Sequence, residues 1–128
     1  MFGHVFIQIL MVMLLPWIFS SEKARRFLME NGYVYTVRKH LKKKLGVKDY
    51  FTDHYGGKSL GSCYGILIRK IHDPTAEKYV LRAVLAAFVD KSGFSSVEEW
   101  LDEIKRLNHG KIPSTLYLYY VALIKEGG

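Results

Sequence analysis

The chain has 128 residues, a formal net charge of +7 and one cysteine, Cys63. That length suits a single domain with a core of its own, and with nearly half of its residues apolar the composition excludes a disordered tail. One cysteine excludes an internal disulfide and zinc-finger spacing, and it agrees with a reducing, cytoplasmic setting.

Phe2 to Phe19 carries no charged side chain and is apolar apart from Gly3, His4, Gln8 and Pro16. Its length sits at the threshold for a membrane-spanning helix. No basic residue precedes it and no small-residue cleavage pattern follows, so it makes a poor signal peptide. Val, Ile and Phe are dense in it, and Pro16 interrupts a helix. The expectation is a buried strand near Met11–Phe19, with residues 1–10 an apolar extension or a mis-assigned start. A membrane anchor is the alternative. The basic residues that follow would then lie on the cytoplasmic side.

The excess charge lies next. From Glu22 to Lys48 there are nine Lys or Arg against two Glu, whereas Asp49 to Gly128 holds ten of each sign. A local positive field of this kind suits a polyanion, although a lysine-rich segment can equally be a solvated loop. Ser20 or Ser21 caps a helix to about Glu30, and Asn31-Gly32 stops it. Tyr33 to Arg38 has strand propensity, with Tyr33, Tyr35 and Val37 on one face and Val34, Thr36 and Arg38 on the other. Residues 39–62 contain Gly46, Gly56, Gly57 and Gly61 and read as a long basic loop with at most a short helix at 39–45.

Tyr64–Ile71 reads as a strand and Asp73-Pro74 as a turn. Lys78–Asp90 reads as a long strand, although the run VLRAVLAAF also suits a helix. Ser95-Ser96-Val97-Glu98-Glu99 offers a capping box in two registers. It opens a helix to about Leu107 with an apolar stripe of Val97, Trp100, Leu101, Ile104 and Leu107. Asn108-His109-Gly110 ends that helix, and Thr115–Ile124 is the closing strand. Scarce Gln and Asn (Gln8, Asn31 and Asn108) beside abundant charge lean toward a thermophilic source.

Asn31-Gly32 followed by Thr36-Val37-Arg38 forms one motif. Ser92-Gly93-Phe94-Ser95-Ser96-Val97-Glu98-Glu99-Trp100 ahead of the closing strand forms a second. In this order and spacing the chain resembles the ASCH domain of the PUA-like group over residues 11–125. The resemblance implies an α+β fold: a small PUA-like β-barrel of five to six strands with two to three flanking helices. It also implies RNA binding in a cleft beside the first helix. Some such domains resemble amidohydrolases that act on acetylated cytidine. Those hydrolases carry a lysine three residues before the strand threonine, where this chain has Tyr33. A nucleophile or base needs hydrogen-bond reach to its substrate, so the expectation leans to an RNA-binding module rather than a nucleoside-modifying or ribonuclease-like enzyme.

The candidate RNA-binding residues are Arg25, Tyr33, Thr36, Arg38, Lys39, Lys42, Lys43, Lys44, Lys58, Gly93 and Phe94. Arg38 can clamp a phosphate with two parallel hydrogen bonds while Thr36 adds another. Alternatively Arg38 holds the fold together by pairing with Glu98 or Glu99. Arg25 or Arg26 faces the cleft from the helix. The lysines steer RNA collectively. Tyr33 and Tyr35 either stack bases or pack in the core. The Ser92-Gly93-Phe94 turn either lines the cleft, with glycine permitting close approach, or simply joins two elements. His4, His40, His54, His72 and His109 show no metal-ligand spacing, and no phosphate loop is present, so neither a metal nor a cofactor is expected.

Overall fold

The computed structural model describes residues 15–74 and 78–125. The elements are β1 (Trp17–Ile18), α1 (Glu22–Asn31), β2 (Tyr33–Arg38), β3 (Asp49–Thr52), β4 (Gly61–His72), α2 (Lys78–Phe88), a 3-10 turn (Val89–Lys91), α3 (Val97–Arg106) and β5 (Thr115–Leu123). The fold is α+β: a five-stranded sheet in the order β1-β3-β4-β5-β2, curled into a half-barrel, with three helices among the described residues. No helix among the described residues is long and apolar enough to cross a membrane.

Several elements form where local chemistry demands them. Gly32 closes α1 in the left-handed conformation, and its N–H reaches the Leu28 carbonyl, as a glycine stop does. At α3, the Ser96 hydroxyl accepts from Glu99 N–H at 3.1 Å. The Glu99 carboxylate returns to the Ser95 N–H and hydroxyl, so both candidate serines share one glutamate. Trp100, Leu101 and Ile104 are buried as the apolar stripe requires, but Leu107 caps the helix end and stays exposed.

Three expectations change. Lys78–Phe88 is a helix, not a strand. Leu81, Val84 and Leu85 fall on one buried side, a 3.6-residue repeat that strand alternation cannot supply. The expected loop 39–62 contains β3 and the start of β4, and it forms no helix at 39–45. Phe51 is buried to 1% exposure, and that single anchored aromatic lets a polar segment join the sheet. Of the expected strand Met11–Phe19, only Trp17–Ile18 is a strand within the described residues, paired parallel to Phe51–Thr52. Residues 11–14 lie outside the described residues, as does the apolar extension at 1–10.

The sheet core is built on β5. Leu116, Leu118, Tyr119 and Val121 are buried, and β5 pairs antiparallel with β4 on one side and β2 on the other. Trp17 packs its ring on Gly65, where any Cβ would come within 2.2 Å of it, and meets Tyr119 edge-on at 5.0 Å. This close approach sets β1 down against the middle of the sheet.

Candidate functional site

Between β1, the end of β2 and α3 runs a cleft of two adjoining cavities. The inner one, about 80 Å³, has a floor of buried Phe94, Trp100, Ile104 and Leu116, with Ser20, Ser21, Thr36, Arg38 and Lys39 around it. The outer one, about 350 Å³, is walled by Pro16, Trp17, Ile18, Leu41 and Tyr119 and carries His40, Lys39 and Arg38. Arg38 and Lys39 line both.

Arg38 is where β2 delivers its last side chain to the core-facing side. Its Nε donates to Thr36 Oγ1 at 3.1 Å and its Nη1 to the Ile18 carbonyl at 2.5 Å. The guanidinium lies 4.6 Å from the centre of the Phe19 ring and 5.7 Å from that of Trp17, within range of a cation–π attraction. Burial lowers its pKa to about 10, against smaller opposing contributions from Tyr119 and Cys63. No carboxylate among the described residues pairs with it. Glu98 pairs with Arg82, and Glu99 with Lys23 at 2.9 Å. The expected alternative, an Arg38 ion pair to either glutamate, is therefore absent among the described residues. A half-buried, desolvated cation without an anion is costly and marks a place where an anion is favoured.

The other candidates separate into those in the cleft and those outside it. Thr36 and Phe94 line the inner cavity. Lys39 is exposed at the mouth, and Lys43, Lys44 and Lys58 are exposed on the surface. Lys42 does not belong with them. It is 8% exposed, pairs with buried Asp49 at 2.9 Å, donates from Nζ to the Leu15 carbonyl and lies over the Trp17 ring. The exposed charge is correspondingly one lysine smaller than the sequence suggests.

Tyr33 is also removed from the cleft. Strand alternation turns it to the opposite face, where it packs with Phe27, Tyr35 and Tyr120 at 5.8 to 6.5 Å between ring centres. Phe88 stacks on Tyr35 at 4.6 Å. Arg25 reaches back to the Phe19 carbonyl at 2.8 Å and lines neither cavity. Arg26 pairs with Glu22 one helical turn away. Gly93 lies against α1, not in the cleft: φ is +92° and an added Cβ would stand 2.3 Å from the Lys23 carbonyl oxygen. Its role is close packing of the turn on the helix.

Residues that sequence reasoning passed over complete the site. Ser21 was readable only as a helix cap, yet its side chain caps nothing. Its Oγ is buried and has no hydrogen-bond partner among the described residues, like the Trp17 Nε1. Asn108, expected as a stop signal, donates from its side chain to the Ile104 carbonyl at 2.6 Å and lines both cavities. Glu103 lines the inner cavity and pairs with Arg106. His40 borders the outer one; partial burial, then Lys39, hold it below its ordinary 6.5 and favour the neutral ring.

Chemically the cleft offers a fixed guanidinium, hydroxyls and an apolar floor. The Thr36 hydroxyl bonds Arg38; among the described residues neither a lysine nor a carboxylate is hydrogen-bonded to it. No group of three or more His, Cys, Asp or Glu that could hold a metal occurs among the described residues. A scan of protein-family models and searches of curated proteins and of solved structures found no match to this chain.

Proposed function

We propose that this protein is an RNA-binding module of the ASCH and PUA-like type, holding single-stranded or locally structured RNA through the cleft beside α1. The observation that carries the reading is Arg38, a desolvated guanidinium facing two cavities without a carboxylate among the described residues. Phosphate oxygens match its planar fork. Exposed Lys39, Lys43 and Lys44 follow it along the chain and supply the sequence-independent attraction that a phosphate backbone rewards. The outer cavity, apolar with Trp17 and Tyr119 in its wall, suits an unstacked base.

The test is Arg38→Lys, which keeps the charge and removes the fork. Fluorescence anisotropy with a mixed-sequence single-stranded RNA should show a loss of about 1–3 kcal/mol, the worth of a charge-assisted contact. Thermal unfolding is run on the same variant, because Arg38 also holds the Ile18 carbonyl. Wild-type affinity in a variant of lowered melting temperature would make Arg38 a fold-holding residue and sink the proposal.

A further inference from the structure

The N-terminus of α1 opens on the inner cavity, since Ser20, Ser21 and Ala24 all line it. The first N–H groups of any helix lack internal acceptors and carry the positive end of the dipole. At α3 the equivalent groups are served by Ser96. At α1 the capping serine, Ser21, makes no such bond. That difference alone would mean little. A second observation stands beside it: Ser21 is 7% exposed, and its Oγ is without a partner among the described residues. A buried hydroxyl left unpaired is costly, so a partner supplied from the cavity is favoured. Across the same cavity stands Arg38.

The size of the cavity decides what can enter. About 80 Å³ is room for several waters, or for one phosphoryl-sized group. Its floor is closed by Phe94, Trp100, Ile104 and Leu116, all buried. An internal phosphodiester must continue on both sides, and about 80 Å³ over a floor of buried side chains leaves little room for that chain. A phosphomonoester has a single attachment and a second negative charge, which gains more from the guanidinium and the helix end. Glu103 is the carboxylate among the described lining residues, and its pairing to Arg106 offsets the repulsion it would exert.

We infer that the inner cavity is a subsite for the terminal phosphate of RNA, held between Arg38, Ser21 and the first-turn N–H groups of α1. This rests on the RNA-binding reading and assigns it an end preference. The ribose and base of the terminal nucleotide then lie outward, in the larger cavity.

The experiment compares three short oligouridylates of one sequence by anisotropy: 5′-phosphorylated, 3′-phosphorylated and unphosphorylated. One phosphorylated form should bind at least about tenfold tighter than the unphosphorylated form, the factor that one charge-assisted contact provides. Ser21→Ala should shrink that ratio toward one. Because the ratio is taken within one variant, partial unfolding cancels. Equal affinity for all three RNAs would overturn the subsite while leaving RNA binding in place. An undiminished ratio in Ser21→Ala would overturn the role given to the helix end. Uridine monophosphate and inorganic phosphate, followed by NMR at the amides of residues 22–24, supply the remaining arm. Shifts there without any RNA binding would leave a free-nucleotide or phosphate site and overturn the assignment to RNA ends.

Discussion

Lys42 allows the sharpest test of the fold, because the structure moves it from the solvated surface to the interior. Its ammonium and the Asp49 carboxylate lie 2.9 Å apart with 8% and 4% of their side chains exposed. Replacing Lys42 by Met keeps the volume and the apolar stem over Trp17 but strands the carboxylate. Asp49 would retain the Tyr50 N–H at 2.8 Å, which is too little to replace a cation. Breaking one side of a buried pair costs about 3–5 kcal/mol. For a domain of this size each kcal/mol moves the melting temperature by roughly 3–5 °C. Lys42→Met should therefore melt about 9–25 °C lower in a calorimetric or circular-dichroism scan. The double variant Lys42→Met with Asp49→Leu removes both charges and should recover most of the loss, since an apolar pair can replace a buried ion pair. Lys43→Glu with Lys44→Glu, on the exposed neighbours, should melt within about 1 kcal/mol of wild type. If Lys42→Met is as mild as the surface pair, or if the double variant is no better than the single, the ion pair does not hold this segment and the reasoning fails.

Gly93→Ala should destabilise by about 2 kcal/mol or more in denaturant titration, because the left-handed backbone alone costs an alanine roughly 1–2 kcal/mol and its Cβ would meet the Lys23 carbonyl; loss below 0.5 kcal/mol would contradict the packing described. Cys63 is buried, and burial pushes its thiol from 9.0 up to about 12. Native protein at pH 8 should resist alkylation that denatured protein undergoes at once. From about pH 9 the unfolded chain sheds a proton that the fold retains, so stability should fall as pH rises, and Cys63→Ala should lack that slope between pH 9 and 10. RNA affinity should weaken steeply with salt. Reversing Lys43 and Lys44 should lower the slope of log affinity against log salt by about 1 to 1.5, the release expected for two contacts on a single strand.

Much of the frame was legible because its signals are local. Gly32 stops α1 by its own backbone freedom, and Ser95, Ser96 and Glu99 declare the start of α3. The alternation in Tyr33–Arg38 places Thr36 and Arg38 together on the cleft side. The same alternation put Tyr33 on the other face, so its removal from the cleft was already implicit in the pattern. What stayed hidden depends on partners distant in sequence. Residues 78–88 mix strand-forming valines with helix-forming leucines and alanines, and only the buried set Leu81, Val84 and Leu85 decides between them. β3 is a strand because Phe51 finds the core, a fact that its polar neighbours conceal. Lys42 looks like its neighbours Lys43 and Lys44; nothing nearby announces that Asp49 waits inside. Ser21 was visible as a cap, but not that its hydroxyl would leave the helix it begins without a capping bond.

The short wall formed by residues 15–19 has only two ladder positions, Trp17 and Ile18, yet its carbonyls are gripped by three cations: Lys42 at Leu15, Arg38 at Ile18 and Arg25 at Phe19. The basic residues thus act as fasteners as well as bait. Lys42 borders the outer cavity but is tied to Asp49 and the Leu15 carbonyl, and Arg25 lines neither cavity, whereas Arg38 divides its donors between the wall and the space beside it. An occupant that draws the guanidinium outward loosens one fastener of three. Binding and the seating of this wall are then thermodynamically linked, and the exchange rate of the Phe19 amide, which donates to the Thr52 carbonyl at 2.8 Å, is the gauge on which that linkage would register.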